Sequence, residues 1–232
     1  MIQDSIQFGS KTIDFKLVYS ARKSLGISVT PNMEVLVKAP ADAPIDKIKQ
    51  KLRDKAPWIL KQQSFFLTFH PKTAPKKYMS GETHLYLGRQ YRLKVIEGTL
   101  NVVKLKGRFI EVTCTEKGRA EELLKKWYLE HARVRFKQYA APWIERFKLY
   151  NVEPSSIVLR EMPTRWGSCT PKGKIILNPE LIKAPKGCIE YVIVHELCHL
   201  VHHDHTQKFF DLQEKEMPGW EKWKMRLEVL LA

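Results

Sequence analysis

Ile189-Glu190-Tyr191-Val192-Ile193-Val194-His195-Glu196-Leu197-Cys198-His199-Leu200-Val201 decides how the second half of this 232-residue chain is read. Two histidines stand four residues apart with a glutamate beside the first, inside a mostly apolar run. On an α-helix four residues advance a side chain by about 400° and the backbone by about 6 Å, so both imidazoles share one face and can reach one metal ion. The Glu196 carboxylate then stands beside that ion, where a general base for water belongs. The segment therefore predicts a helix over 189–201 and zinc-hydrolase chemistry.

A catalytic zinc takes three protein ligands and keeps one position open. His195 and His199 supply two. His202 continues the same helix face, and three side chains stacked along one straight helix cannot surround an ion. His205 lies past the helix end expected at His203-Asp204 and can approach from another side, so it is the expected third ligand. Glu214 and Glu216, on a following helix, are the alternatives. The metzincin pattern needs glycine where this chain has His202, which argues against that group. His203 reads as a surface residue and Asp204 as a candidate partner for an imidazole N–H.

Outward from this helix the period of the apolar residues divides the chain. Leu123, Leu124, Trp127, Leu129, Val134, Phe136, Tyr139, Trp143, Ile144 and Phe147 mark a long helix from about Arg119, interrupted near Pro142. Strands are expected at 156–160 and 174–179 with a turn at 164–170 between them, and further helices at 206–216 and 219–231. The aromatic residues of the long helix read as a core stripe, not as a stacking platform for bases.

Before residue 115 the signals are mostly those of strands, at 12–19, 25–39 (broken at Pro31-Asn32), 83–87, 89–96, 102–103 and 109–113. One helix opens at Pro44-Ile45, with Ile45, Ile48, Leu52 and Ile59 on one stripe, and Pro57 is expected to end or kink it. Residues 70–77 read as an exposed connection. Lys55-Ala56-Pro57-Trp58-Ile59 and Ala140-Ala141-Pro142-Trp143-Ile144 are alike, but nothing around them is in register, so no repeat is inferred. The expected architecture is α+β: an antiparallel β-rich domain with one helix over 1–115 and a small α+β catalytic domain over 119–232.

Composition narrows the setting. The net charge of +15 is unevenly placed: residues 1–150 hold 29 Lys and Arg against 14 Asp and Glu, and residues 151–232 hold 11 of each. A basic N-terminal part beside a neutral site suits anionic partners such as nucleic acid, nucleotides or acidic proteins. The same charge also describes a plain solvated surface. Four widely spaced cysteines, Cys114, Cys169, Cys188 and Cys198, read as reduced thiols of a cytoplasmic protein. No apolar run approaches the ~18 residues of a membrane span, and the first residues lack a signal-peptide pattern.

Arg165-Trp166-Gly167-Ser168-Cys169, then Ile175-Ile176-Leu177-Asn178, then His195-Glu196-Leu197-Cys198-His199, then His205-Thr206-Gln207-Lys208-Phe209-Phe210, closely resembles the YgjP-like metallopeptidase family. That family is related to the SprT and WLM groups of minimal zincins. The likeness continues through Met217-Pro218-Gly219-Trp220 and covers most of the chain. It implies a zincin-like catalytic domain and a zinc-dependent hydrolase, with ligands on His195, His199 and His205, the base on Glu196, and the Arg165–Cys169 turn packed beside the metal helix. There Gly167 would permit a close approach and Arg165 would stabilise developing negative charge. Trp166, Cys169 and Cys198 are expected to be structural.

Three readings follow. In the leading one, zinc and Glu196 activate water for peptide-bond hydrolysis. In the second, the same machinery attacks phosphorus and the protein is a nucleotide triphosphate pyrophosphatase, with Arg165 and the basic part holding phosphates. In the third, the basic part docks on nucleic acid and the zinc is structural.

Overall fold

The computed structural model describes residues 2–9, 11–22, 24–30, 33–67, 76–162 and 165–231. The break expected at Pro31-Asn32 and most of the expected connection at 70–77 lie outside the described residues. The chain forms two compact units, residues 1–74 and 75–231.

In the first unit, β1 (Ile2–Phe8), β2 (Lys11–Ser20), β3 (Gly26–Val29) and β4 (Val35–Pro40) form one sheet in the order β1-β2-β4-β3, followed by α1 (Ile45–Leu67). Alternation sets the buried face: Ile13, Phe15 and Leu17 of β2 and Val35, Val37 and Ala39 of β4 point inward. They meet Ile48, Leu52, Ala56 and Ile59, spaced along one stripe of α1. β1 carried little strand signal, since only its Ile6 is buried.

The second unit starts with the same plan. β5 (Thr83–Tyr86), β6 (Arg89–Glu97), β7 (Val102–Lys106) and β8 (Phe109–Cys114) pair in the order β5-β6-β8-β7, and α2 (Ala120–Phe147) follows. In both sheets the outer pairs are antiparallel and the central pair is parallel, β2 with β4 and β6 with β8. The sheets are thus mixed, where antiparallel sheets were expected. In each, the hairpin after the second strand folds back so that its far arm lies against that strand, a choice of partner that local sequence does not encode. The shared topology is not carried by the two Ala-Pro-Trp-Ile strings, for Pro57 sits near the middle of α1 and Pro142 close to the end of α2.

Neither proline ends its helix. Both residues are exposed, so each ring faces solvent, while buried neighbours on either side, Ala56 and Ile59 in α1 and Ala140 and Phe147 in α2, hold the helix against its core.

The second sheet belongs with the helices that follow it, although the sequence grouped it with the N-terminal strands. Leu93, Ile110, Val112 and Cys114 share one core with Leu124, Tyr128, Phe136 and the helix that follows. The Tyr128 hydroxyl donates to the Leu85 carbonyl at 2.7 Å. The β5–β6 turn bonds through the Leu87 and Gly88 amides to the carbonyls of Ile182 and Lys183, in a 3₁₀ segment at Pro179–Lys183. That segment leads into α3 (Lys186–Val201), which starts three residues earlier than expected.

A third, three-stranded sheet lies beside α3. β9 (Ser156–Leu159) pairs in parallel with β11 (Lys174–Leu177), and β10 (Gly167–Cys169) pairs antiparallel with β11 from the edge. β10 falls where a turn was expected. The chain closes with α4 (Gln207–Glu216) and α5 (Trp220–Leu231). Among the described residues no helix is long and apolar enough to cross a membrane.

Buried Glu216 ties α4 to α2: its carboxylate accepts from Arg146 Nε and from the Tyr150 hydroxyl. Replacing it with alanine strands both donors. Because the Arg146 side chain is half exposed, Glu216→Ala should cost roughly 2 kcal/mol in urea denaturation, less than a fully buried pair. A change within about 0.5 kcal/mol would show that the contact does not hold α4.

Candidate metal centre

α3 is buried on nearly every side, with Ile189, Ile193, Val194, Leu197 and Cys198 fully inside. This fixes the rotation of the helix and presents His195 and His199 on its one partly open face. The helix stops at His202, whose backbone turns extended. The chain then reverses through 203–206 and brings His205 back over the other two rings.

One ligand atom each from His195, His199 and His205 lies within 4.8 Å of the others. His202, Glu214 and Glu216 are not in the cluster. Glu214 accepts from the Gly219 amide, and Glu216 is engaged by Arg146 and Tyr150. The orienting role considered for Asp204 falls to other groups: His195 Nδ1 donates to Gln213 Oε1 at 2.8 Å, and His199 Nδ1 donates to the His203 carbonyl at 3.0 Å. With those protons on Nδ1, the Nε2 lone pairs of both rings are free. His205 Nε2 stands 3.1 Å from His195 Nε2, a separation that calls for a shared proton or a shared cation. Phe209 of α4 lies against all three rings at 4.7 to 5.0 Å between centroids. Burial holds His195 down to about 4 and lowers His199 as well, so both are neutral and ready to ligate near neutral pH. Three convergent imidazole nitrogens held from behind fit a zinc-type divalent ion.

Glu196 is 4% exposed and leans toward β10. A Cβ on Gly167 would come within 2.4 Å of Glu196 Oε1 and 2.8 Å of Val192, so only glycine allows strand and helix to meet there. Burial pushes the Glu196 carboxyl up to about 8, opposed by the charge of Arg165 and by the Cys169 N–H pointing at it. A cation at the histidines would favour the carboxylate instead. Burial also raises the Cys169 thiol to about 11 and Cys198 to about 12, so neither is the thiolate a metal would take.

Above these groups opens a cleft of about 660 Å³, bounded by the Arg165–Pro171 segment on one side and by Tyr191, Val192, Glu196 and the three histidines on the other. Arg165 is exposed at this cleft. Sequence reasoning missed Gln213, Phe209 and the strand character of 167–169. The signal that could have found the first two is the three- and four-residue spacing of Phe209, Leu212, Gln213 and Glu216, which puts them on one helix face, the face the structure buries.

The YgjP-like family, described as a metallopeptidase domain, matches residues 23–229. No curated protein and no solved structure matches the chain. The chain belongs to the YgjP-like family.

The raised Glu196 pKa has a consequence for the metal-free protein. The unfolded chain loses this proton near 4.5 and the folded chain keeps it to about 8, so its contribution to stability falls as pH rises through that window and then levels off. Thermal melts of metal-free Glu196→Gln and the parent should therefore diverge in the variant's favour from pH 4.5 to 8. A constant gap across that window would refute the buried neutral carboxyl.

Proposed function

We propose that this YgjP-like protein is a zinc-dependent peptidase in which His195, His199 and His205 hold the metal and Glu196 is the general base. When bound, zinc supplies a Lewis acid that polarises a carbonyl and makes water nucleophilic near neutral pH. Glu196, set one residue from a ligand and facing the cleft, takes the water proton and passes it to the departing amine. Arg165, exposed at the cleft, adds positive charge near the carbonyl oxygen as it turns anionic.

The observation that carries peptide over other substrates is the edge of β10. The flanks of β10 bond to β11 and the residue after it, through Thr170 N–H to Lys174 C=O and Asn178 N–H to Trp166 C=O. By alternation Ser168 also faces β11, while the backbone groups of Gly167 and Cys169 face the open side, toward Glu196 and the cleft. With the Cys169 N–H turned to Glu196, an extended chain can add to that edge through the Gly167 N–H and C=O and the Cys169 C=O and lie past the three histidines. A nucleotide triphosphate needs several cations, and among the described lining residues Arg165 is the only Lys or Arg. The four free thiols support a reducing, cytoplasmic setting.

Glu196→Gln should bind zinc like the parent and lose at least 100-fold in cleavage of an unfolded protein substrate. Retained cleavage removes Glu196 from the reaction. Release of phosphate from a nucleotide panel without peptide cleavage moves the assignment to the pyrophosphatase.

The expected anionic partner is supported by the outer face of the second sheet. The register sets Arg92, Phe109 and Lys106 in one cross-strand row and Lys94, Glu111 and Lys104 in the next, with Arg108 in the adjoining turn. All five cations are exposed, and Glu111 is bonded to Lys94 and Lys106. Cations around a half-buried aromatic ring suit a single nucleic-acid strand. Anisotropy with a single-stranded oligonucleotide should show binding that weakens steeply with salt, and Lys104→Glu with Lys106→Glu should reduce both affinity and salt slope. Binding indifferent to the double variant rules this face out.

A further inference from the structure

Gln213 is wholly buried in α4, with its Oε1 2.8 Å from His195 Nδ1 and its Nε2 without a hydrogen-bond partner among the described residues. A buried amide left with an unpaired donor costs about 1–3 kcal/mol. Leucine or methionine would fill the same space without that cost, so packing alone does not account for a glutamine. The carbonyl half of the amide does: it can only accept, so it fixes the proton of His195 on Nδ1 and turns the Nε2 lone pair toward His205.

We propose that Gln213 is the positioning residue of the metal centre, setting the tautomer and ring angle of His195 through one neutral hydrogen bond. The proposal rests on the metal-site reading above. Gln213 itself is placed by its helix. Phe209, Gln213 and Glu216 lie on one face of α4 at spacings of four and three residues. Phe209 packs on the three imidazoles, and Glu216 is fastened to Arg146 of α2 and to Tyr150 in the 3₁₀ turn that follows it. The hold on His195 therefore runs back through α4 to the long helix that carries the second sheet. Because the partner is an amide and not a carboxylate, it orients the imidazole without adding negative charge to the centre.

The test is zinc affinity, measured by competition with a chromophoric chelator, in Gln213→Leu and Gln213→Glu. Leucine should weaken zinc binding about 10- to 100-fold. Glutamate restores the acceptor and should bind at least as tightly as the parent. In the metal-free protein, a slowly exchanging His195 Nδ1–H resonance should be present in the parent and in Gln213→Glu and absent in Gln213→Leu. Circular dichroism checks folding, and Gln213→Met replaces the leucine variant if that one does not fold. Leucine or methionine variants that bind zinc like the parent overturn the assignment, as does a glutamate variant as weak as they are. A parent that binds no zinc yet keeps the Nδ1–H resonance overturns the metal reading, while the Gln213 contact survives.

Discussion

The close contact between Gly167 and Glu196 is the constraint on which the rest of the site depends. A strand can lie directly on the metal helix only where it has no side chain, and any Cβ at residue 167 would collide with the carboxylate and with Val192. The contact encloses Glu196, directs the Cys169 N–H at it, and leaves an open strand edge along the cleft. The buried carboxylate, the edge strand beside the cleft and the three imidazoles thus come together from one tertiary approach. The rigid burial of α3 makes that approach reproducible, because a helix inside on nearly every face cannot rotate to relieve it.

What the second unit adds to α3 is support from several directions. The second sheet reaches it through the 3₁₀ segment before it, and α2 through a shared core. α4 presses Phe209 against the imidazoles from behind, and α5 sets Trp220 parallel to Tyr191. The first unit repeats the topology of the second unit's sheet and helix, yet it supplies no residue to the three-histidine cluster. One β-sheet-and-helix plan serves twice, once with the elements that carry the histidine cluster added after it.

The metal helix was legible because its information is local: a four-residue spacing places His195 and His199 on one face whatever surrounds them. His205 was legible by exclusion, since an ion gripped by one helix needs a ligand from beyond its end. The buried stripes of α1 and most strands followed from alternation and period. Pairing did not, because the parallel contact of β6 with β8 joins residues such as Leu93 and Ile110 that no short window contains. Pro57 and Pro142 fail to end their helices for a related reason: a proline on the solvent face is outweighed by core contacts on the opposite face. β10 escaped notice because Gly-Ser-Cys has no strand preference, and Gln213 because its partner is 18 residues away on another helix.

X-ray absorption at the zinc edge on the zinc-loaded protein tests the central claim most directly. Three imidazoles and one open position should give a first shell of nitrogen and oxygen only, at about 2.0–2.1 Å, with the imidazole signal reduced in His205→Ala. A sulfur shell near ~2.3 Å, or a spectrum unchanged in His205→Ala, would contradict it.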